Sequence, residues 1–316
     1  MERIPKPKHG SKEWLMERWR DDQGCCVFGA SDIPALMNAS PYKTRAELFA
    51  DKINEPQPQV ETAIFRRGNL LEKPLLEAAA DFLNHDIYTP DCMYRDGRLT
   101  VTLDGVDNSI QPEYIVEAKT TTRYSIHDEN DLPIEWLWQG WAQQAVLECS
   151  NVWFSVLDRD LRISVVPLPK NETAIDALRL EAQIFGDWVD NNTPPLDEIN
   201  NFSADDIARI WRATPTMVEL DATAAQLVID LEKARATSKE ANDAEARIKD
   251  ALAQMMLNHE IGMFNGQKIV SWTQQAGKTA LDTARLRADH PELVKQYEKQ
   301  GNPYRVMRTH REKVKK

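Results

Sequence analysis

The sequence predicts an α/β protein: a mixed β-sheet flanked by helices, followed by a mostly helical C-terminal extension that contains a β-hairpin. Three observations predict it. Short apolar runs at Leu99 to Leu103, Tyr114 to Ala118, Val152 to Leu157 and Leu161 to Val166 read as strands bounded by turn residues. Helical periodicity occupies the stretches between and after them, above all Ile134 to Glu148 and Ala174 to Val189. Beyond Asn191-Asn192-Thr193-Pro194-Pro195 the composition turns to Ala, Glu, Lys and Asp, which sets a boundary between residues 1–195 and 196–316.

Each element has a local cause. Residues 11 to 20 form an amphipathic helix with Ser11 as N-cap, because a hydroxyl at that position can accept from a first-turn amide. A second helix starts within Ser31 to Met37, Pro41-Tyr42 turns the chain, and Arg45 to Lys52 is helical in pattern. Prolines around Gln57 to Gln59 mark a loop. From Glu61 to Leu83 apolar residues recur at Ile64, Leu71, Leu75, Ala79 and Phe82, but Pro74 removes one intrahelical bond and predicts a kink or restart beside Glu72. Asp158-Arg159-Asp160 closes a tight hairpin between the last two strands. In the extension, Leu220 to Leu257 reads as one long helix, Asn265-Gly266 as a two-residue hairpin turn, and Asp282 and Pro291 as starts of short helices.

Composition narrows the function. The 316 residues can bury one large core or two moderate ones. Four scattered cysteines, no apolar run of the ~18 residues a membrane span needs and no apolar signal segment fit a reducing cytoplasm and no membrane. A formal charge of -11 argues against an indiscriminate polyanion binder. The charge is uneven, however: residues 305 to 316 carry six Lys or Arg against one acid, and residues 1 to 20 carry six against three. Basic arms on an acidic body fit a protein that admits DNA only at a built channel or clamp.

The chemistry concentrates at one strand. Alternation puts Glu117 and Lys119 on one side of it, roughly 7 Å apart. Asp104, thirteen residues before Glu117 and followed by Gly105, can close a hairpin-like arrangement that brings a second carboxylate there. Two carboxylates, the Ala118 carbonyl and a lysine make a site for a hard divalent cation and phosphodiester hydrolysis. In that site Asp104, Glu117 and the Ala118 carbonyl ligate metal, Lys119 orients water or stabilises an oxyanion, and Glu72 serves a second metal or a bound water. The cysteines lack cluster spacing and the six histidines lack zinc spacing. Trp136, Trp138 and Trp141 spread around several faces of their helix and read as packing residues.

Six motifs occur in order: Gly29-Ala30-Ser31-Asp32-Ile33, Ser40-Pro41-Tyr42-Lys43-Thr44, Arg67-Gly68-Asn69-Leu70-Leu71-Glu72, Leu103-Asp104-Gly105, Val116-Glu117-Ala118-Lys119 and the glutamine helix with Gln139, Gln143 and Gln144. Together, over about residues 11 to 190, they resemble the YqaJ-type viral recombinase family, which is similar to the lambda exonuclease and belongs to the PD-(D/E)XK nucleases. The resemblance implies a restriction-endonuclease-like core, dependence on Mg2+ with Mn2+ as substitute and no organic cofactor. It also implies 5′ to 3′ digestion of one strand at double-stranded DNA ends, a ring-shaped homotrimer, and a single-strand annealing protein as partner in phage or prophage recombination. Carried over by position, Asp104 and Glu117 match metal ligands, Lys119 the catalytic lysine, Glu72 the helix acid, and Gln139 and Gln143 the glutamine pair, with Gln144 adjacent. Arg18, or alternatively Arg20, and Ser31 match the pair that holds a 5′-phosphate. Leu103 stands where the family name has proline. Two other readings remain: a structure-specific or sequence-specific endonuclease of the same fold, and a non-catalytic DNA-end-binding scaffold.

Overall fold

The computed structural model describes residues 1–57, 62–211, 213–277, 279–298 and 305–309. The chain divides into two compact units, Met1–Arg212 and Ala213–Lys316. The first unit opens with β1 (Glu2–Pro5), α1 (Lys12–Glu17), β2 (Phe28–Gly29), α2 (Ile33–Leu36), α3 (Arg45–Lys52) and α4 (Ala63–Leu83). It continues through β3 (Cys92–Asp96), β4 (Leu99–Val101), β5 (Gly105–Val106), β6 (Tyr114–Thr120), α5 (Ile134–Leu147), β7 (Asn151–Leu157), β8 (Ile163–Leu168), α6 (Glu172–Asp190) and α7 (Ala204–Ile210).

Two four-stranded sheets organise this unit, one in the order β1-β3-β4-β2 and one in the order β5-β6-β7-β8. The second sheet is mixed. β6 and β7 run parallel from Tyr114 opposite Asn151 to Thr120 opposite Leu157, while β5 and β8 flank them antiparallel. Parallel neighbours cannot be joined by a tight turn, and α5 is the crossover between them. Alternation then sorts the side chains. Ile115 and Phe154 enter the main core, which α2, α5 and α6 also line, whereas Val116 packs with Leu76 and Ala79 of α4 on the opposite face. Ser155 Oγ donates to the Leu75 carbonyl at 2.7 Å and ties β7 to α4. At Gly140 the helix α5 comes so near the sheet that a Cβ would stand 2.4 Å from Leu168 Cδ2.

The short helices are capped by their own neighbours, Ser11 as expected. Ser11 Oγ accepts from Trp14 N at 3.2 Å, and Thr44 with Glu47 forms a capping box on α3. The helix expected from Ser31 begins instead as a 3-10 turn, Ala30–Asp32, before α2. α4 corrects another expectation, because it runs unbroken through Pro74. A mid-helix proline costs about 3 kcal/mol or more, and burial of Leu75 and Leu76 offsets it at about 1.5–3 kcal/mol each. β1 and β3 escaped the sequence reading; β3 is buried at four successive positions, so it shows no alternation.

The first unit also reaches past Pro195. Phe202 and Asp206 are buried, and Arg209 pairs with Asp51 of α3, so the chain stays with this unit through Arg212.

The second unit contains α8 (Ala222–Met256), β9 (Ile261–Phe264), β10 (Gln267–Ser271), α9 (Thr283–Asp289) and α10 (Pro291–Tyr297). Asp221 caps α8 by accepting from Ala224 N at 3.0 Å. Asn265 and Gly266 both take positive φ, 47° and 78°, as a two-residue hairpin turn requires. Of the expected basic tail, residues 310–316 lie outside the described residues. Among the described residues no helix is long and apolar enough to cross a membrane.

Candidate active site

The β6 strand builds the site because alternation turns Glu117 and Lys119, like Ile115, toward α5. Lys119 Nζ donates to Glu117 Oε1 at 2.7 Å and to Gln139 Oε1 at 2.8 Å. Gln139 Nε2 donates to the same Glu117 oxygen, and Gln143 Nε2 donates to Glu117 Oε2 at 2.5 Å. A spacing of four on α5 puts both amides on one helix face, so both reach one carboxylate. Gln144 turns elsewhere, donating to the Ser150 and Leu168 carbonyls at 3.2 and 3.3 Å. Geometry thus separates Gln139 and Gln143 from their neighbour. Gln143 is fully buried, yet its Oε1 has no hydrogen-bond partner among the described residues.

Asp104 immediately precedes β5, whose Gly105 pairs with Val116, and this register brings Asp104 level with Glu117. Its Oδ2 accepts the Ala118 N–H at 2.9 Å. Burial, the charge of Glu117 and that of Glu72 hold the Asp104 carboxyl well above the usual carboxylate range, against the opposing Lys119 and the Ala118 amide. Burial also raises the Glu72 carboxyl, with Glu117 adding to the rise and Lys6 opposing it. Glu72 from α4, Asp104 from the β4–β5 connection and Glu117 from β6 therefore sense one another's charge.

Among the described residues no three His, Cys, Asp or Glu side chains form a ready metal cage. The available donors are Asp104 and Glu117, level in the sheet, and the main-chain carbonyl of Ala118, an all-oxygen set suited to a hard cation. Glu117 is 3% exposed and already accepts three hydrogen bonds. A carboxylate offers about four lone-pair sites, so one remains for a cation. The upward pressure on Asp104 is what a positive ion would relieve. By donor chemistry and electrostatic demand, the residues fit a divalent metal.

A second expected pair also meets. Arg18 donates through Nη2 to Ser31 Oγ, and its guanidinium lies 4.4 Å from the Trp14 ring centroid. Arg20 is engaged differently, donating to the Trp19 and Lys52 carbonyls at 2.8 and 2.6 Å. Asp96 ends β3 and faces Arg179 at 3.4 Å, as a structural residue at a turn. The four cysteines are free thiols, and Trp136 stacks on Phe154 with centroids 6.1 Å apart, as packing requires. Sequence reading missed Lys6, whose charge acts on Glu72, and Lys52, buried beside Arg18. Neither lies in a motif, and only pairing of β1 with β3 brings Lys6 toward the acids.

Fold and side chains define an α/β unit whose central parallel strand delivers Glu-Ala-Lys to an aspartate at the neighbouring antiparallel strand. Residues 13–150 match the family model of the YqaJ-like viral recombinase domain. It contains Arg18, Ser31, Glu72, Asp104, Glu117, Lys119, Gln139 and Gln143. Among solved structures, the chain is similar to the alkaline exonuclease LHK-Exo from Laribacter hongkongensis, with 14% identity and a TM-score of 0.47 over 60% of this chain and 98% of that one. LHK-Exo in complex with dAMP gives 16% identity and a TM-score of 0.46 over the same shares, 60% and 98%. A phage related exonuclease from Haemophilus somnus 129PT is similar at 9% identity and a TM-score of 0.42, over 54% of this chain and 96% of that one. No curated protein matches the chain.

Proposed function

We propose that the protein is a Mg2+-dependent exonuclease that degrades one strand of linear duplex DNA from its 5′ end and leaves a 3′ overhang. The observation that carries this reading is the meeting of Lys119 Nζ with Glu117 Oε1 at 2.7 Å beside Asp104, whose Oδ2 accepts the Ala118 N–H at 2.9 Å. Within a YqaJ-like viral recombinase domain, that set has a coherent chemical use.

Asp104 and Glu117 would hold the cation. The Ala118 carbonyl is the third donor, since a strand residue's amide and carbonyl face the same edge and the amide already faces Asp104. When bound, Mg2+ lowers the pKa of a coordinated water and offsets charge on the scissile phosphate. Lys119 orients the attacking water or stabilises charge developing on the phosphate oxygens. Gln139 and Gln143 fix the Glu117 carboxylate from the α5 side, and the unpartnered Gln143 Oε1 can accept from a water. Glu72 serves a second metal or a bound water. Arg18 and Ser31 take the 5′-phosphate, where a guanidinium and a hydroxyl supply directed donors.

In this reading the overhang suits a single-strand annealing partner, and the ring-shaped homotrimer implied by the family resemblance supplies processivity. The test is digestion of 5′-phosphorylated linear duplex beside a covalently closed circle, with Mg2+ or with chelator. Mg2+-dependent loss of the linear substrate with a surviving circle is expected. Cleavage of the circle would make the protein an endonuclease, and equal binding without nucleotide release would make it a scaffold.

A further inference from the structure

Behind the Arg18–Ser31 pair lies an ion pair between a buried lysine and a partly buried aspartate that catalysis does not use. Lys52, the last residue of α3, is 0% exposed. Its ammonium donates to the Arg18 and Val27 carbonyls and meets the Asp32 carboxylate, each at 2.9 Å. An ammonium has three protons, and these three acceptors use them all. Asp32 Oδ2 in turn accepts the Gly29 N–H at 3.0 Å. One buried charge therefore ties together the end of α1, which bears Arg18, and the 3-10 turn, which bears Ser31.

Gly29 completes the arrangement from the other side. Its backbone is ordinary extended chain, φ -68° and ψ 152°, which any residue could adopt. What a side chain would lack is room. A Cβ there would stand 2.5 Å from Arg18 Nη2 and 2.7 Å from Arg18 Nε, so the guanidinium lies where residue 29 would carry its first carbon. Trp14 holds the guanidinium from another direction, 4.4 Å from its ring centroid. These neighbours leave Arg18 in one posture, with Nη2 on the Ser31 hydroxyl.

We propose that the Lys52–Asp32 ion pair and the absent side chain at Gly29 set this posture of Arg18, and so determine how strongly the protein selects 5′-phosphorylated DNA ends. Lys52, Asp32 and Gly29 are positioning residues, acting through Arg18 and Ser31. The proposal rests on reading that pair as the 5′-phosphate pocket.

The experiment uses the full chain with Mg2+ and two linear duplexes that differ only in a 5′-phosphate or a 5′-hydroxyl. The readout is the ratio of kcat/KM on the two ends, with KM and kcat separated. Arg18→Ala is the control for the pocket, and it should abolish the preference for phosphate. Gly29→Ala should lower the ratio by about tenfold, mainly through a raised KM on phosphorylated ends, because a displaced guanidinium loses its directed hydrogen bonds. The double variant Lys52→Met with Asp32→Asn, which leaves no unpaired buried charge, should do the same. If Arg18→Ala loses the preference while both other variants keep it, or if they depress both substrates equally, the positioning role is overturned and the pocket stands. If Arg18→Ala keeps the preference, the pocket reading itself fails. Should the double variant not fold, Gly29→Ala decides alone.

Discussion

Replacing Asp104 by Asn separates a carboxylate kept for a cation from one kept for the fold. The substitution preserves shape, and an amide oxygen can still accept the Ala118 N–H, which now lies 2.9 Å from Oδ2. One negative charge is lost. In the metal-free protein that charge is unfavourable, since burial and the charges of Glu117 and Glu72 hold the carboxyl well above the usual range. A carboxyl whose folded-state pKa lies above its unfolded value stabilises the fold at low pH and loses that contribution as pH climbs through the raised value. Metal-free Asp104→Asn should therefore match wild type near pH 4 and exceed it near pH 8, by about 1.4 kcal/mol for each pH unit between the two pKa values. For a unit of this size, each kcal/mol moves Tm by about 2–4 °C.

Magnesium acts in the opposite direction. At a hundredfold excess over Kd, binding stabilises wild type by about 2.7 kcal/mol, and the variant should forgo most of that gain. Scanning calorimetry of both proteins across this pH range, in chelator and in Mg2+, reads both effects, and digestion by the variant should be lost. A Tm rise in Mg2+ of equal size in both proteins would refute the reasoning, as would a variant less stable than wild type in chelator near pH 8.

Three further outcomes follow from the same geometry. Lys119→Met should slow digestion by about 10²–10⁴-fold while circular dichroism stays unchanged, because Glu117 keeps its two amide donors; a wild-type rate would remove Lys119 from the chemistry. Gln143→Met should lower the single-turnover rate, whereas Gln144→Met should cost about 1–3 kcal/mol in urea unfolding and spare the rate, since Gln144 binds only main-chain carbonyls. Phe154→Ala, at a fully buried position beside Trp136, should cost about 3–5 kcal/mol, read from the urea midpoint.

Much of this was legible from residue order. The cap at Ser11, the turn at Asn265-Gly266 and the strand beginning at Tyr114 depend on neighbours a few positions away, so local pattern suffices to read them. Glu117 and Lys119 were readable as a pair for the same reason, because alternation is a property of one strand. The course of α4 through Pro74 was not, since a local rule weighed the proline while the burial that outweighs it comes from the sheet. Nor was β3, whose burial on both faces erases the period-two signal.

By itself, then, the chain's order determined most of the elements, the residue types of the site and their resemblance to the YqaJ-like domain. Tertiary structure decided which of them meet: Arg18 rather than Arg20 with Ser31, Gln139 and Gln143 rather than Gln144 with Glu117, and Asp104 level with Glu117. It alone revealed the Lys52–Asp32 pair and the space that Gly29 leaves. The reason is separation along the chain. Partners thirteen or more positions apart, as Arg18 and Ser31 are, leave no periodic trace, and their meeting depends on strand register and helix packing that involve the whole unit at once.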